Sequence, residues 1–323
     1  MKNFCSLLFE LSHEDRLRIL HKLVKERMNV TSLSKALNLT TQETSRHLSR
    51  LSEVDLIQKD AKGLNHVTEY GELVLKQLDG LRFISRYADY FRSRSLTHLP
   101  REFISRIGDL SSSKPVNEVA VTFANIEKMA QEAKEFILTI TDQYLISKST
   151  LANFTEAYKR GVTVKNIESL DWVALSQHIA LYTSEDIDVR NRARSNGILL
   201  ERFGERIDLS LYVSEKEVAV ISFPTHDGRF DYLGFASKDE RTRKWCVDAF
   251  RYYWSRARDG TVVADERLRW IRDKPKAVSA LRRIAAGKAV PEGKEMIPEL
   301  ESMHLIRNGV LTQLGRIVLR KLK

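Results

Sequence analysis

Two guanidinium groups at Arg46 and Arg50 stand in the run Gln42-Glu43-Thr44-Ser45-Arg46-His47-Leu48-Ser49-Arg50-Leu51. At i, i+4 they share one face of a helix. A guanidinium fork matches the O6/N7 edge of guanine or a phosphate. Gln42, Thr44, Ser45 and His47 add shorter donors and acceptors on the same stretch. Farther on, Lys59, Lys62 and His66 flank Gly63 in a short segment of strand-like residues, placed to hold backbone phosphates. The chemistry implied is noncovalent recognition of double-stranded DNA, with these nine residues as the contact set.

Covalent chemistry finds no comparable support. The eight histidines are scattered, with no HExxH and no G-x-S-x-G, and the glycines at 197, 204, 228 and 234 are isolated rather than gathered in a phosphate loop. Cys5 and Cys246 lack any CxxC or Cys/His ligand spacing, which argues against a disulfide framework or a zinc site and for a reducing compartment. No catalytic residue, cofactor or metal is expected, and the chain reads as a non-enzyme. No apolar run reaches a membrane span and the start is too short for a signal peptide, so the expectation is a cytoplasmic protein without a membrane partner.

The elements that must position the contact set follow from apolar spacing and caps. Ser12-His13-Glu14-Asp15 opens a helix carrying Leu17, Leu20, Leu23 and Val24. Thr31 caps a short helix with Leu33, Ala36 and Leu37 inward, Asn38-Leu39-Thr40 turns, and Thr40 or Thr41 starts the reading helix, about Thr41 to Val54. Gln58 to Thr68 makes a wing. Helix, turn, capped helix and wing in this order spell a winged helix-turn-helix. Beyond Thr68 a long helix carries Val74, Leu78, Leu81, Ile84, Ala88 and Phe91 in a regular stripe. Its two readings are packing within its own domain and the interface of a homodimer.

Charge and composition divide the rest. The chain carries a net +10 over 323 residues, distributed as +4 in residues 1–110, zero in 111–258 and +6 in 259–323. Basic ends and a neutral middle assign the polyanion to the terminal modules and a different task to the centre. Domains are expected at 1–80 (winged helix-turn-helix), 81–113 (long linker helix and connector), 114–258 (central α/β domain) and 259–323 (a second, basic winged-helix-like module). The centre alternates helix and strand, implying a parallel sheet, then adds a hairpin at 208–223 and a closing helix at 239–258. Asp142 and the arginines Arg190, Arg192, Arg194, Arg202 and Arg206 are candidate anion ligands there. Asp142, Arg194, Arg202 and Arg206 form the effector-binding set, and the interleaved Asp186, Asp188, Glu201 and Glu205 leave a solvated charged face as the alternative. Trp245, Tyr252, Tyr253 and Trp254 read either as core or as a pocket wall.

The tail echoes the first domain. Leu51 to Ile57 matches Leu300 to Ile306 at Leu, Leu and Ile, and Thr68 to Leu78 matches Thr312 to Leu322 at Thr, Gly, Val, Leu and Leu. The second copy is shortened, and Pro298 falls inside its would-be reading helix, which leaves accessory DNA contact and packing or oligomerisation both open.

Leu33 to Thr40, Ser45 to Leu51 and Leu56-Ile57 through Thr68-Glu69-Tyr70-Gly71 resemble archaeal ArsR-like winged-helix regulators. Gly161-Val162-Thr163-Val164, the hairpin Leu209 to Phe223, Asp227-Gly228 and Trp245 to Trp254 resemble the middle domain of the archaeal family named after a methanogenesis regulator. The alternating centre itself is similar to one half of the phospholipase D-like fold, whose enzymes use His-x-Lys. No histidine here has a lysine two positions on. The resemblance implies an α+β multidomain transcription regulator with a degenerate phospholipase D-like sensor or assembly domain, open to a small-molecule effector. A dimer acting on a palindromic DNA site is the leading reading. The alternatives are a phosphodiesterase or nuclease of that fold and a protein-interaction adaptor of the basal transcription machinery.

Overall fold

The computed structural model describes residues 2–142, 147–172, 181–291 and 293–322. The chain divides into two compact units, Met1–Arg82 and Phe83–Lys323. Among the described residues no helix is long and apolar enough to cross a membrane.

The first unit comprises α1 (Lys2–Leu11), α2 (Glu14–Lys25), α3 (Val30–Leu37), α4 (Thr41–Glu53), the hairpin β1 (Ile57–Lys59) and β2 (Asn65–Val67), and α5 (Glu69–Arg86). Its core closes on Ile19, Leu20, Leu33, Leu51 and Leu56, all fully buried. Local chemistry sets the ends of these helices. The helix expected to begin under Thr31 starts earlier because Asn29 caps it, its Oδ1 accepting the Ser32 N–H at 2.8 Å. At the preceding helix, α2, Ser12 gives way to His13, whose Nδ1 accepts the Asp15 N–H at 3.2 Å. Asn38 takes the left-handed conformation (φ 57°) that ends α3, and Thr40 opens α4 with a reciprocal box. Thr40 Oγ1 accepts the Glu43 N–H at 3.1 Å while the Glu43 carboxylate accepts the Thr40 N–H at 3.0 Å.

The long stripe from Val74 to Phe91 does not form one seam. The helix stops at Arg86, Tyr87 leaves helical geometry (φ −116°, ψ 37°), and a short α6 (Ala88–Arg92) follows. Val74 and Leu78 pack in the first unit's core. Leu81 and Ile84 are exposed, at 61% and 37%. Phe91 belongs with Phe83, Tyr87 and Phe235 in an aromatic cluster of the second unit, and this nonlocal packing accompanies the break.

The second unit is built on a sheet ordered β10-β6-β5-β4-β7-β8-β9-β3. β4 (Phe136–Thr141), β5 (Thr163–Ser169) and β6 (Leu199–Gly204) run parallel, as the alternation of helix and strand implies. β7 (Ser210–Ser214), β8 (Val218–Ser222), β9 (Gly234–Ser237), β3 (Lys114–Val116) and β10 (Arg258–Asp259) add antiparallel neighbours. One sheet face packs Ile137, Val164 and Tyr212 against α8 (Val119–Glu132), α9 (Lys148–Lys159) and α10 (Ser184–Ser195). The other packs Ile140, Ile167 and Leu211 against Trp245 and Phe250 of α11 (Glu240–Arg256). Residues expected as a connector contribute Leu99 and Phe103 of α7 (Arg101–Ser105) and its approach, with Ile107 and Leu110, to this second core. Trp245 is fully buried and its Nε1 donates to Phe103 O at 3.2 Å, so it serves the core.

The tail repeats the order of the first unit: α12 (Gly260–Arg272), α13 (Pro275–Ala285), α14 (Ile297–Ser302), β11 (Ile306–Arg307), β12 (Val310–Leu311) and α15 (Gln313–Lys321). Its core shares Leu170 and Phe203 with the central sheet. The Gln313 N–H donates to Trp172 O at 2.8 Å, and Asp171 holds His304 at 2.7 Å and Arg307 at 3.3 Å.

Candidate nucleic-acid interface

Helix α4 presents two chemically different sides. Leu48 and Leu51 turn inward, and Thr44 and His47, one turn earlier at the i, i+3, i+4, i+7 positions of the same stripe, are buried with them. This differs from the expectation that placed Thr44 and His47 on the reading face. Thr44 Oγ1 instead donates to Thr40 O at 2.9 Å inside the helix. Burial, followed by the charges of His13 and Arg46, lowers the pKa of His47. Gln42, Ser45, Arg46, Ser49 and Arg50 remain exposed. Among the described residues Arg46 makes no ion pair, so its fork is available to a partner.

Arg50 has a protein partner that the sequence reading missed. Its Nη2 lies 2.5 Å from Glu10 Oε1 and its Nη1 3.4 Å from Glu53. Glu10 is buried and also holds the buried Arg16. Phe9 sits beneath both guanidiniums, 5.5 Å from Arg16 and 6.0 Å from Arg50. The pair Phe9-Glu10 at the end of the first apolar run is the signal that could have revealed this brace. Arg50 therefore stands half exposed in a fixed position.

The wing is shaped by Asp60, whose Oδ1 accepts the N–H groups of Lys62 and Leu64 at 2.9 and 3.0 Å, and by Gly63 in the left-handed region (φ 79°). These N–H bonds, chiefly that of Leu64, hold the Asp60 carboxyl below its usual range. Lys59 and Lys62 are exposed at this edge. His66 is partly covered, its Nε2 3.0 Å from Gln58 Nε2. At the wing's base a lock fixes the hairpin to α5: Thr68 Oγ1 donates to Asp55 O at 2.6 Å and accepts the Gly71 N–H at 2.9 Å. Gly71 is required there, since a Cβ would fall 2.2 Å from Leu56 O.

The effector set does not converge in the second unit. Asp142 accepts the Tyr232 hydroxyl at 2.8 Å, Arg206 pairs with Asp208, and Arg202 lies over the Trp254 ring at 4.5 Å while donating to Trp254 O. Arg194 joins Arg190 on Glu201, at 2.6 and 2.7 Å. Burial opposes ionisation of Glu201, yet the Arg190 and Arg194 guanidiniums hold its carboxyl well below the usual range. A cavity of about 50 Å³ lies instead over the middle of β4 and the amino-terminal half of β5, against α9 and α10, with Thr139, Thr150, Phe154, Asn166, Arg190 and Tyr212 in its wall. Polar rows back it: Thr139 donates to Asn166 at 2.5 Å and Asn166 to Glu168 at 2.8 Å, all three buried. The alternation Thr139, Thr141 within an otherwise apolar strand is the trace this leaves in the sequence.

Residues 16–85 match the family model described as winged helix-turn-helix. The match spans α2 to α5 and coincides with the interface above. No curated protein matches the chain. Among solved structures, one described as TrmBL2, an archaeal chromatin protein with a novel mode of DNA binding, is similar at 16% identity. It covers 76% of this chain and 93% of its own, with a TM-score of 0.36. A phospholipase D family member, Nuc from Salmonella typhimurium, is similar at 13% identity over 42% of this chain and 88% of its own, with a TM-score of 0.28. At these TM-scores neither likeness bears on what the chain does.

Proposed function

We propose that the chain is a sequence-specific, DNA-binding transcription regulator that acts as a homodimer on a palindromic site and is not an enzyme. The observation that carries this reading is the exposed Arg46, without an ion pair among the described residues, on the outer face of a capped α4, flanked by Gln42 and Ser45 and bordered by a wing with exposed Lys59 and Lys62. The winged helix-turn-helix match over the same residues supports it. Arg46 reads base edges, Gln42 and Ser45 contribute short contacts near the helix start, and Lys59 and Lys62 anchor phosphates. Arg50, braced by Glu10, contributes a fixed positive charge. Tyr70, Leu73, Leu81 and Ile84 are exposed apolar residues on α5 and supply the dimer contact. The type of regulator, ArsR-like and archaeal, follows the sequence resemblance, and a cytoplasmic location follows the isolated cysteines and short apolar runs. In this reading the central unit binds an effector through the cavity above β4 and β5, whose mostly apolar wall carries a few polar groups.

The test is selection of preferred sites from random duplexes by the full chain, followed by binding titrations of the selected site and a scrambled one. Arg46→Ala should lose about 1 to 3 kcal/mol on the selected site and little on the scrambled one. Equal affinity of wild type and Arg46→Ala for the selected site would remove α4 as the reading element.

A further inference from the structure

His13, Asp15 and His47 meet where the first turn of α2 faces the buried side of α4. One ligand-capable atom from each lies within 4.8 Å of the others. The two imidazole rings are 4.6 Å apart between centres and tilted by 53°, and His13 Nδ1 is 4.0 Å from Asp15 Oδ2. His47 is only 5% exposed as a residue and makes no hydrogen bond among the described residues, but its ring nitrogens stay within reach of solvent or a ligand. DNA contact does not use it, because it faces away from the exposed side of α4.

Two imidazoles and a carboxylate are a donor set suited to a first-row transition ion, with water completing the coordination. Metal–ligand bonds of about 2.0 to 2.2 Å require the three atoms to close in. His13 is exposed and Asp15 partly so, which lets both swing toward the fixed His47. Of the neighbouring cations, Arg16 is paired with Glu10 and Arg18 with Asp15 itself at 2.7 Å, while Arg46 makes no ion pair among the described residues and is the one charge that opposes a cation at His47. Asp15 has a second oxygen for an ion.

We propose that His13, Asp15 and His47 form a binding site for a divalent transition-metal ion that ties the reading helix α4 to the start of α2. The site stands whether or not α4 reads DNA.

The experiment uses the full chain, stripped with a chelator and titrated with Co²⁺ while its visible absorption is recorded, then with Zn²⁺ as competitor. His13→Asn deletes one imidazole yet keeps a side chain able to cap α2, and Cys5→Ser removes the exposed thiol on α1. The expected result is one Co²⁺ per chain, displaced by Zn²⁺, unchanged in Cys5→Ser and weakened at least tenfold in His13→Asn. Zn²⁺ should raise the thermal midpoint of wild type and leave that of His13→Asn in place. Absence of stoichiometric Co²⁺ in wild type, equal affinity in His13→Asn, or loss of binding in Cys5→Ser would each overturn the proposal.

Discussion

The winged modules at the two ends of the chain share a lock and differ in everything the lock holds. In the first, Leu56 N–H donates to Leu51 O at 3.0 Å, Thr68 N–H to Leu56 O at 3.1 Å and Thr68 Oγ1 to Asp55 O at 2.6 Å. In the second, Leu305 N–H donates to Leu300 O at 2.9 Å and Thr312 N–H to Leu305 O at 3.1 Å, with Thr312 Oγ1 bonded to His304 O at 2.5 Å. Asp55 and His304 take the same left-handed backbone, at φ 58° and 56°. What the locks hold diverges. α4 is 13 residues with a capping box; its counterpart α14 is 6 residues, begins beside Pro298 and has no side-chain cap. The wing with its Asp60-to-Leu64 tip contrasts with a two-residue Asn308-Gly309 turn, both residues at positive φ. α5 runs 18 residues and α15 only 9. The hairpin-to-helix lock is thus a folding device, separable from reading length, wing reach and an exposed apolar stripe. The second module keeps the device and spends its hairpin base on Asp171 of the central unit.

Three tests probe that separation, in descending order of effect. Gly71→Ala and Gly315→Ala would each drive a Cβ into a backbone oxygen, 2.2 Å from Leu56 O and 2.0 Å from Leu305 O. Each should cost about 3 kcal/mol in its own module, near the upper end for overpacking. Urea unfolding combined with DNA titration should show that only Gly71→Ala abolishes binding; equal loss from Gly315→Ala would give the tail a role in reading. Next, Leu81→Glu with Ile84→Glu should convert a dimer to a monomer in sedimentation and reduce binding to that of one half-site, while the central unit keeps its near-ultraviolet circular dichroism. A double variant that stays dimeric moves the interface away from α5. The smallest effect concerns pH. Hydrogen bonds from the Thr40 side chain, then its backbone, lower the pKa of the Glu43 carboxyl. A folded value below the unfolded one means that the box stabilises α4 above about pH 4 to 5 and is lost as pH falls through the folded value. Protection of the Thr40 amide, taken relative to its intrinsic exchange rate at each pH, should fall as pH drops through the folded Glu43 value, with no matching step at the start of α14; unchanged protection at Thr40 would show that the box does not hold α4.

What could be read from the residues follows how local its cause is. The turn at Asn38, the cap at Thr40 and the wing around Gly63 depend on a few neighbouring side chains, and spacing alone locates them. The echo of Leu51 to Leu78 in the tail was visible for the same reason. The inward turn of Thr44 and His47 was hidden because residue type suggested a reading role, while the helical period that also places Leu48 and Leu51 decided otherwise. The break at Tyr87 was invisible: the apolar stripe continues through it, and the rings that gather there, Phe83 and Phe235, are far apart in the chain. β6 was obscured by its own charges, since Glu201 and Arg202 point to opposite faces of the sheet, one to Arg190 and one to Trp254. The Glu10 brace joins residues 40 apart and needed the fold to appear.

That brace also redraws where the reading module begins. The family match starts at residue 16, yet Phe9 and Glu10 lie before it and are what fix Arg50 on α4. A chain trimmed to the matched residues would keep every helix of the motif and leave Arg16, a buried cation, without its carboxylate. The smallest piece that recognises DNA as the intact protein does is therefore larger than the smallest piece with the motif's outline, and α1 is its mechanical foundation.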